Sequence, residues 1–247
     1  MKPMFTAPVL ATVLLTAGVA HAQHADALLV ITPGDQLVTG LYDFGDNTLV
    51  STDTRVLEGE FDAFGTIDEP GFNALSSGNA QLPAGFSALP GDTAVSFTGK
   101  AFSIGVQTSN LWFWDATGPV DFSPVTDGTI LNVSKAPAVS FSADLDGSAN
   151  DVPGFTIDTT ASDGFLHKHI DFSIIDAATA AEGFYLWSFE ISAGAYTSDP
   201  IYFVHGLGDH DEELHEEAIE YVETNIVPEP ASLAMLVSGA VCLLKRK

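Results

Sequence analysis

Basic residues are scarce in this 247-residue chain, which has 8 Lys and Arg residues against 33 Asp and Glu residues. Between Gln23 and Val227 there are 32 acidic and only four basic residues, so that span carries a net charge of −28. A surface of this charge repels nucleic acid and anionic lipid. We therefore expect no nucleic-acid partner.

Cysteine is nearly absent, since Cys242 near the C-terminus is the only one. The rest of the chain can form no disulfide, thiol nucleophile or Cys-ligated zinc site. The sequence also lacks the G-x-S-x-G nucleophile elbow, the H-E-x-x-H zinc motif and the phosphate-binding loop. We therefore predict a non-catalytic protein, and a hydrolase with an unrecognised site is the least favoured of three hypotheses.

Long apolar runs are missing too, because the two apolar segments at the chain ends are short. Near the N-terminus, Lys2 precedes an apolar stretch over 8–19 and then the triplet Ala20-His21-Ala22. This order is typical of a cleaved signal peptide. We expect signal peptidase to cut between Ala22 and Gln23, so that residues 1–22 are removed and the protein is exported.

The second apolar segment, 231–244, carries no charge and would span about 21 Å as a helix. That length is marginal for a hydrocarbon core about 30 Å thick. Pro228-Glu229-Pro230 precedes the segment, and Lys245-Arg246-Lys247 follows it. The pattern predicts a transient inner-membrane anchor whose cationic end stays on the cytoplasmic side.

These three parts, in this order at the C-terminus, resemble the PEP-CTERM sorting signal of Gram-negative bacteria. The resemblance covers about the last 20 residues, 227–247. It implies that an exosortase-type transpeptidase recognises Pro228, Glu229 and Pro230. It further implies a location at the cell surface or in an extracellular matrix, in company with exopolysaccharide.

Short runs rich in Phe, Val and Ile, bounded by Gly, Pro, Asp and Asn, predict an all-β fold over 23–208. Many short strands at close spacing favour an antiparallel β-sandwich. Residues 62–90 hold few strand signals, and we interpret them as a long surface loop. The predicted strands are 28–32, 37–42, 55–61, 93–97, 102–108, 111–114, 129–133, 138–142, 165–175, 183–191 and 200–205.

Helical spacing appears only after this region, within an acidic spacer over 209–226. Apolar residues at 214, 218, 221 and 222 lie on one stripe of a helix predicted near 210–224. Asp209 or Asp211 can cap its start. We expect one narrow face to dock on the sandwich and the acidic face, with His210 and His215, to meet water.

The predicted strand 165–175 places His167, His169 and Asp171 on one face, because strand side chains alternate. Its apolar residues fall on the other face, which would meet the core. Two neutral imidazoles side by side are good ligands for zinc or copper. The alternative is a pair of surface histidines beside an aspartate, which spacing alone favours.

A third histidine, His24, stands beside Asp26 at the expected mature N-terminus. His-x-Asp near the start, the His-x-His strand, the aromatic strand 184–187 and the closing strand 200–204 together resemble a group of bacterial surface-anchored, zinc-regulated domains. The resemblance implies a zinc site. We expect the N-terminal strand to pair alongside the histidine strand, so that His24 joins His167 and His169, with Asp26 or Asp171 completing the site.

Two other patterns leave alternatives open. Trp112 and Trp114 share a strand face and, with Trp187, could form a sugar-binding platform, which supports the second hypothesis of a carbohydrate- or matrix-binding surface protein. The more usual alternative is that both faces of this strand are buried between sheets. The acidic segment 144–151 lacks the glycine and glutamate spacing of an EF-hand. We interpret it as an acidic turn, with a looser calcium site as the alternative.

The terminal signals generate a prediction about processing. We expect mass spectrometry of the native protein to show a chain that begins at Gln23 and ends near Pro228-Glu229-Pro230. Detection of intact Lys247 in the surface-associated pool would contradict cleavage of the tail.

Overall fold

The structure is a computed structural model that describes residues 25–138 and 140–227. Within them the chain forms 19 strands and one helix. The predicted all-β sandwich with a C-terminal acidic helix is confirmed, and no helix among these residues is long and apolar enough to cross a membrane. The signal-peptide and sorting-signal predictions, with Ala22, Gln23, Pro228, Glu229 and Pro230, lie outside the described residues.

The strands, in chain order, are β1 Asp26–Ile31, β2 Leu37–Asp43, β3 Thr48–Ser51, β4 Val56–Glu60, β5 Thr66–Ile67, β6 Phe72–Ala74, β7 Ala94–Gly99, β8 Phe102–Ile104, β9 Gln107–Ser109, β10 Trp112–Trp114, β11 Ser123–Pro124, β12 Leu131–Ser134, β13 Ser142–Leu145, β14 Val152–Thr159, β15 Leu166–Lys168, β16 Asp171–Ile174, β17 Gly183–Ala193, β18 Tyr196–Thr197 and β19 Ile201–Leu207. The helix is α1, Glu212–Asn225.

These strands form three sheets and a separate hairpin, β8–β9. The first sheet has the order β15-β6-β1-β2-β3. The second sheet has the order β11-β10-β17-β19-β4, and in it β7 and β18 also pair with β17, while β14 pairs with β7. The third sheet has the order β13-β12-β16-β5. Most pairs are antiparallel, but β1 with β6 and β19 with β4 are parallel. The sandwich is therefore mixed at these two places.

The main core lies between the second sheet and the inner faces of the first and third sheets. Trp187 and Phe203 stack in it with ring centroids 5.5 Å apart, and Phe172 packs against both. A smaller cluster, containing Trp112 and Trp114, lies on the other side of the second sheet under α1. A third cluster covers the outer face of the first sheet, around Leu28.

Five segments rich in Gly, Pro, Asp and Asn, at 32–35, 44–47, 89–92, 127–128 and 146–147, each hold a residue in the left-handed region. These residues are Asp35 (φ 58°), Asn47 (φ 53°), Asp92 (φ 52°), Gly128 (φ 92°) and Gly147 (φ 80°). Asp and Asn tolerate this conformation better than other side chains, and glycine adopts it freely.

The structure corrects several predictions. The predicted strand 102–108 is the hairpin β8–β9, and the predicted strand 138–142 overlaps β13 only at Ser142. Residues 62–90 are not a plain surface loop, because β5 and β6 lie within them and Phe72 is fully buried. The eight-residue β14 was missed since Pro153 and Gly154 argue against a strand. It lies at a sheet edge and pairs with β7 through two register shifts, where proline and glycine are tolerated.

Helix α1 begins where predicted, but its N-cap residue makes no side-chain capping bond and His215 does not face water. Asp211 occupies the N-cap position without a side-chain capping bond. Ala218 and Val222 are buried, as the apolar stripe predicts. His215 was expected to meet water and is instead buried against the second sheet, where Nε2 donates to the Val204 carbonyl (3.0 Å) and Nδ1 donates to Glu60 Oε1 (2.8 Å).

Both ring nitrogens of His215 face acceptors, so this geometry fits an imidazolium. Burial by itself lowers the pKa of His215, but the hydrogen bonds to Glu60 and to the Val204 carbonyl outweigh it, and the pKa is raised above 6.5. The charged pair fastens the helix to the strand edge formed by β4.

His215→Gln tests this pair. Because folding raises the pKa of His215, its stabilisation is fully present below the unfolded pKa of about 6.5 and is lost as pH rises through the folded value. Glu60 is half exposed, so we expect the variant to lower the free energy of unfolding by only about 1 kcal/mol at about pH 5.5 and by less at about pH 8.5. Urea unfolding at the two pH values measures this.

Glu60→Gln provides the matched control, because in that background His215→Gln should change the stability little at either pH. A His215→Gln effect that is equal at both pH values, or larger at high pH, would contradict the charged pair.

Candidate metal centre

The predicted histidine strand is divided between two sheets. β15 belongs to the first sheet and β16 to the third, with His169 and Ile170 at the crossing. The predicted single strand 165–175 is therefore wrong, but its alternation is preserved. The apolar face is buried as expected, at Leu166, Ile170, Phe172 and Ile174.

The N-terminal strand does not pair with the histidine strand, because β6 lies between them. β1 pairs with β6 in parallel and β15 pairs with β6 antiparallel. At Gly71, just before β6, the carbonyl accepts a hydrogen bond from the Ala27 amide (2.8 Å) and the amide donates to Asp26 Oδ1 (3.1 Å). The expected direct pairing is thus wrong, yet Asp26 reaches the histidines across the glycine.

Three potential ligand atoms converge above Gly71. His167 Nε2 lies 3.1 Å from His169 Nε2 and 3.1 Å from Asp26 Oδ2, and His169 Nε2 lies 4.0 Å from Asp26 Oδ1. All three residues can place a ligand atom within 4.8 Å of the others. Ligands about 2.0–2.1 Å from a tetrahedral zinc ion lie about 3.3 Å apart, so the spacing suits one ion.

A hydrogen bond fixes the tautomer of His169. Its Nδ1 lies 3.0 Å from the Asp68 carbonyl, which can only accept, so Nδ1 carries the proton. The neutral ring then presents a lone pair at Nε2, toward the cluster. Such a partner behind the ring is the usual companion of a metal-binding histidine.

An aromatic ring supports His167 from outside. Phe44 stacks on it with centroids 3.8 Å apart and an interplanar angle of 23°. Phe44 is 44% exposed, so the stack lies at the protein surface and restricts the imidazole to one side. The two histidine side chains remain about a quarter to a third exposed.

Asp26 is the buried member of the cluster, and its side chain is 4% exposed. Burial raises the pKa of Asp26, and the nearby His169 and His167 offset only part of that effect. In the absence of a metal ion, a proton on His167 Nε2 can bridge to the carboxylate. A cation at the centre would replace that proton and stabilise the carboxylate form.

Of the other predicted ligands, Asp171 does not join this cluster and His24 is untested. Asp171 is exposed at the start of β16, opposite Ser134 in the third sheet, and is not among the converging residues. His24 lies outside the described residues. Gly71 was missed in the sequence, where Pro70-Gly71 indicates only a turn.

Two other histidines and the tryptophans serve the fold. His205 is fully buried in the core, and burial holds its pKa well below 6.5. His210 Nε2 donates to the Leu207 carbonyl (2.8 Å). Trp112, Trp114 and Trp187 are all buried, so of the two alternatives burial between the layers is confirmed and an exposed platform is not formed by them.

The carboxylates of the acidic turn 144–151 are occupied by the protein's own donors. Asp146 Oδ1 accepts from the Ser148 amide (3.0 Å), and Asp151 pairs with Lys100 and accepts from the Ala101 amide (2.9 Å). This supports the interpretation of the segment as a structural turn.

Comparisons of the chain with protein-family models, curated protein sequences and solved structures found no match. The chemistry of the site therefore has to be argued from its own geometry.

Gly71→Ala tests this geometry. A Cβ at Gly71 would lie 2.7 Å from Asp26 Oδ1 and 2.9 Å from His169 Nε2, closer than real contacts allow. We expect the variant to displace both ligands and to weaken zinc binding by about tenfold or more, as disturbance of ligand orientation does. Competition with a metal-binding dye measures the affinity.

Gly78→Ala is the matched control, because a Cβ there would meet nothing within 4 Å. Equal zinc affinity of Gly71→Ala and the wild type would show that the ligands do not converge over this glycine.

Proposed function

We propose that this domain binds a divalent transition-metal ion, with zinc as the first candidate, through Asp26, His167 and His169. The observation that carries the proposal is the convergence of two imidazole nitrogens and a buried carboxylate. Asp26 lies in β1 and His167 in β15, both paired to β6, and His169 follows β15 directly, so the ligands are held by the sheet.

The donor set favours zinc over calcium or magnesium. Imidazole suits zinc, copper, iron and nickel, whereas calcium and magnesium prefer sets made of oxygen. Two histidines with one carboxylate are an established zinc-binding set. The net charge of −28 over 23–227 raises the local concentration of cations in general and so assists loading.

We further propose that the protein is an exported, surface-attached and non-catalytic β-sandwich. The support comes from the two terminal signals in the sequence, which resemble a signal peptide and a PEP-CTERM tail. Signal peptidase and an exosortase-type transpeptidase would then be its processing partners, with extracellular polysaccharide as its surroundings. A carbohydrate-binding role gains no support from the tryptophans, since all three are buried.

The double change His167→Ala with His169→Ala tests metal binding. We expect the wild type to take up about one zinc ion per chain and the double variant to take up none. At about 100 times the dissociation constant, zinc should stabilise the wild type by about 2.7 kcal/mol and leave the variant unchanged. Elemental analysis and thermal unfolding with and without zinc measure the two effects.

Asp171→Ala is the matched control, since Asp171 is exposed and outside the cluster. Normal zinc uptake by Asp171→Ala would leave Asp26 as the carboxylate ligand. Normal zinc uptake by His24→Ala would show that His24 is not needed as a ligand. Zinc uptake that survives loss of both His167 and His169 would refute the proposed site.

A further inference from the structure

Asn73, at the centre of β6, is a buried polar residue without an assigned role. It has no exposed surface, and neither Oδ1 nor Nδ2 has a hydrogen-bond partner within the part of the chain that the structure describes. Burying an amide in this state costs free energy, so a native structure needs a compensating interaction. Asp26 Oδ2 is likewise buried, and His167 Nε2 lies 3.1 Å from it.

The strand register places Asn73 beside the metal-ligand cluster. Asn73 is opposite His167 on β15 and opposite Leu28 on β1. Register partners share a face of the sheet, and alternation puts Asp26 on the same face as Leu28. Directly opposed residues have Cβ atoms about 4.5–5.5 Å apart. The Asn73 side chain therefore starts beside that of His167 and lies on the ligand side of the sheet.

We propose that Asn73 Oδ1 is the fourth protein ligand of the metal ion. This inference rests on the proposed function, and it makes the site a closed one with two imidazole nitrogens and two side-chain oxygens. Four protein ligands with no open position are the mark of a structural metal site. The ion would tie β1, β6 and β15 together, one ligand or more from each strand.

This arrangement gives both polar atoms of the Asn73 amide a partner. Coordination gives Asn73 Oδ1 a partner, and the second Asp26 oxygen can accept a hydrogen bond from Asn73 Nδ2. The other explanation is a buried water between the amide and its neighbours, which would leave the metal with an open position.

Cobalt(II) in place of zinc distinguishes the two, because its visible absorption is intense in four-coordinate sites and weak in five- or six-coordinate ones. We expect the cobalt-loaded wild type to show intense absorption that added azide does not change. Asn73→Leu should weaken zinc binding about 10- to 100-fold, reduce the absorption and make it sensitive to azide. Asn73→Asp should restore tight binding, since it keeps an oxygen ligand.

The stability of the metal-free protein separates a ligand from a structural residue. An unpartnered amide contributes nothing to the fold, so metal-free Asn73→Leu should melt at or above the temperature of the metal-free wild type. Asn110 is the matched contrast: it is equally buried but bonded, with Oδ1 accepting from the Asp146 (3.1 Å) and Gly147 (2.9 Å) amides. Asn110→Leu should lower the melting temperature and leave zinc affinity unchanged in the folded fraction.

Two results would overturn the inference and leave the proposed function standing. One is wild-type zinc affinity and an unchanged cobalt spectrum in Asn73→Leu, and the other is an azide-sensitive spectrum in the wild type. A wild type that binds neither zinc nor cobalt would instead refute the metal function itself, and the inference with it.

Discussion

Strand β17 is buried on both faces, and the layers of the fold follow from that constraint. Tyr185, Trp187 and Phe189 face the main core, while Phe184 and Leu186 face the opposite side of the second sheet. Apolar side chains on both faces of a strand need cover on both faces. The first and third sheets provide it on one side, and α1 with the β8–β9 hairpin provides it on the other.

The candidate metal centre lies where two of these covering sheets meet. The chain leaves the first sheet after β15 and enters the third at β16, so His169 lies at the junction and His167 stays in the strand. The junction lets His169 Nδ1 bond to the Asp68 carbonyl while Nε2 still faces His167. The passage of the chain from β15 to β16 thus brings the two imidazole nitrogens together, and the sequence alone does not reveal it.

The spacing of apolar and polar residues within short segments predicted much of the fold and, at the candidate metal centre, the shared face of His167 and His169. Most strands and the stripe of α1 were found because the apolar period is visible within a few residues. β6 was missed because it is only three residues long, follows Pro70-Gly71 and holds a polar Asn73. Its place in the sheet depends on pairing with β1 and β15, which lie far away in the sequence, and no local pattern specifies that.

The same limit explains the error at His215. A histidine among glutamates on a helix is typical of a solvated face, and Glu60, which pairs with it, lies in a distant strand. Burial of a titratable group is decided by such distant partners. Asp26 is the converse case, since the sequence marked it as a candidate ligand, but its approach to the histidines crosses Gly71, which lies just before β6.

Charge balance ties the site to the rest of the molecule. Of the four basic residues between Gln23 and Val227, Lys100 pairs with Asp151 and Lys135 donates to the Ile157 carbonyl (2.8 Å). Among the described residues, the ionic contacts of Asp26 are with His167 and His169. This buried carboxylate, which also accepts a hydrogen bond from the Gly71 amide, is stabilised by a proton or by a metal ion, and burial has already raised its pKa. Because a divalent ion would bring two positive charges to a strongly acidic domain, the proposed binding would relieve repulsion beyond the three ligands and would stabilise the sheet that holds them.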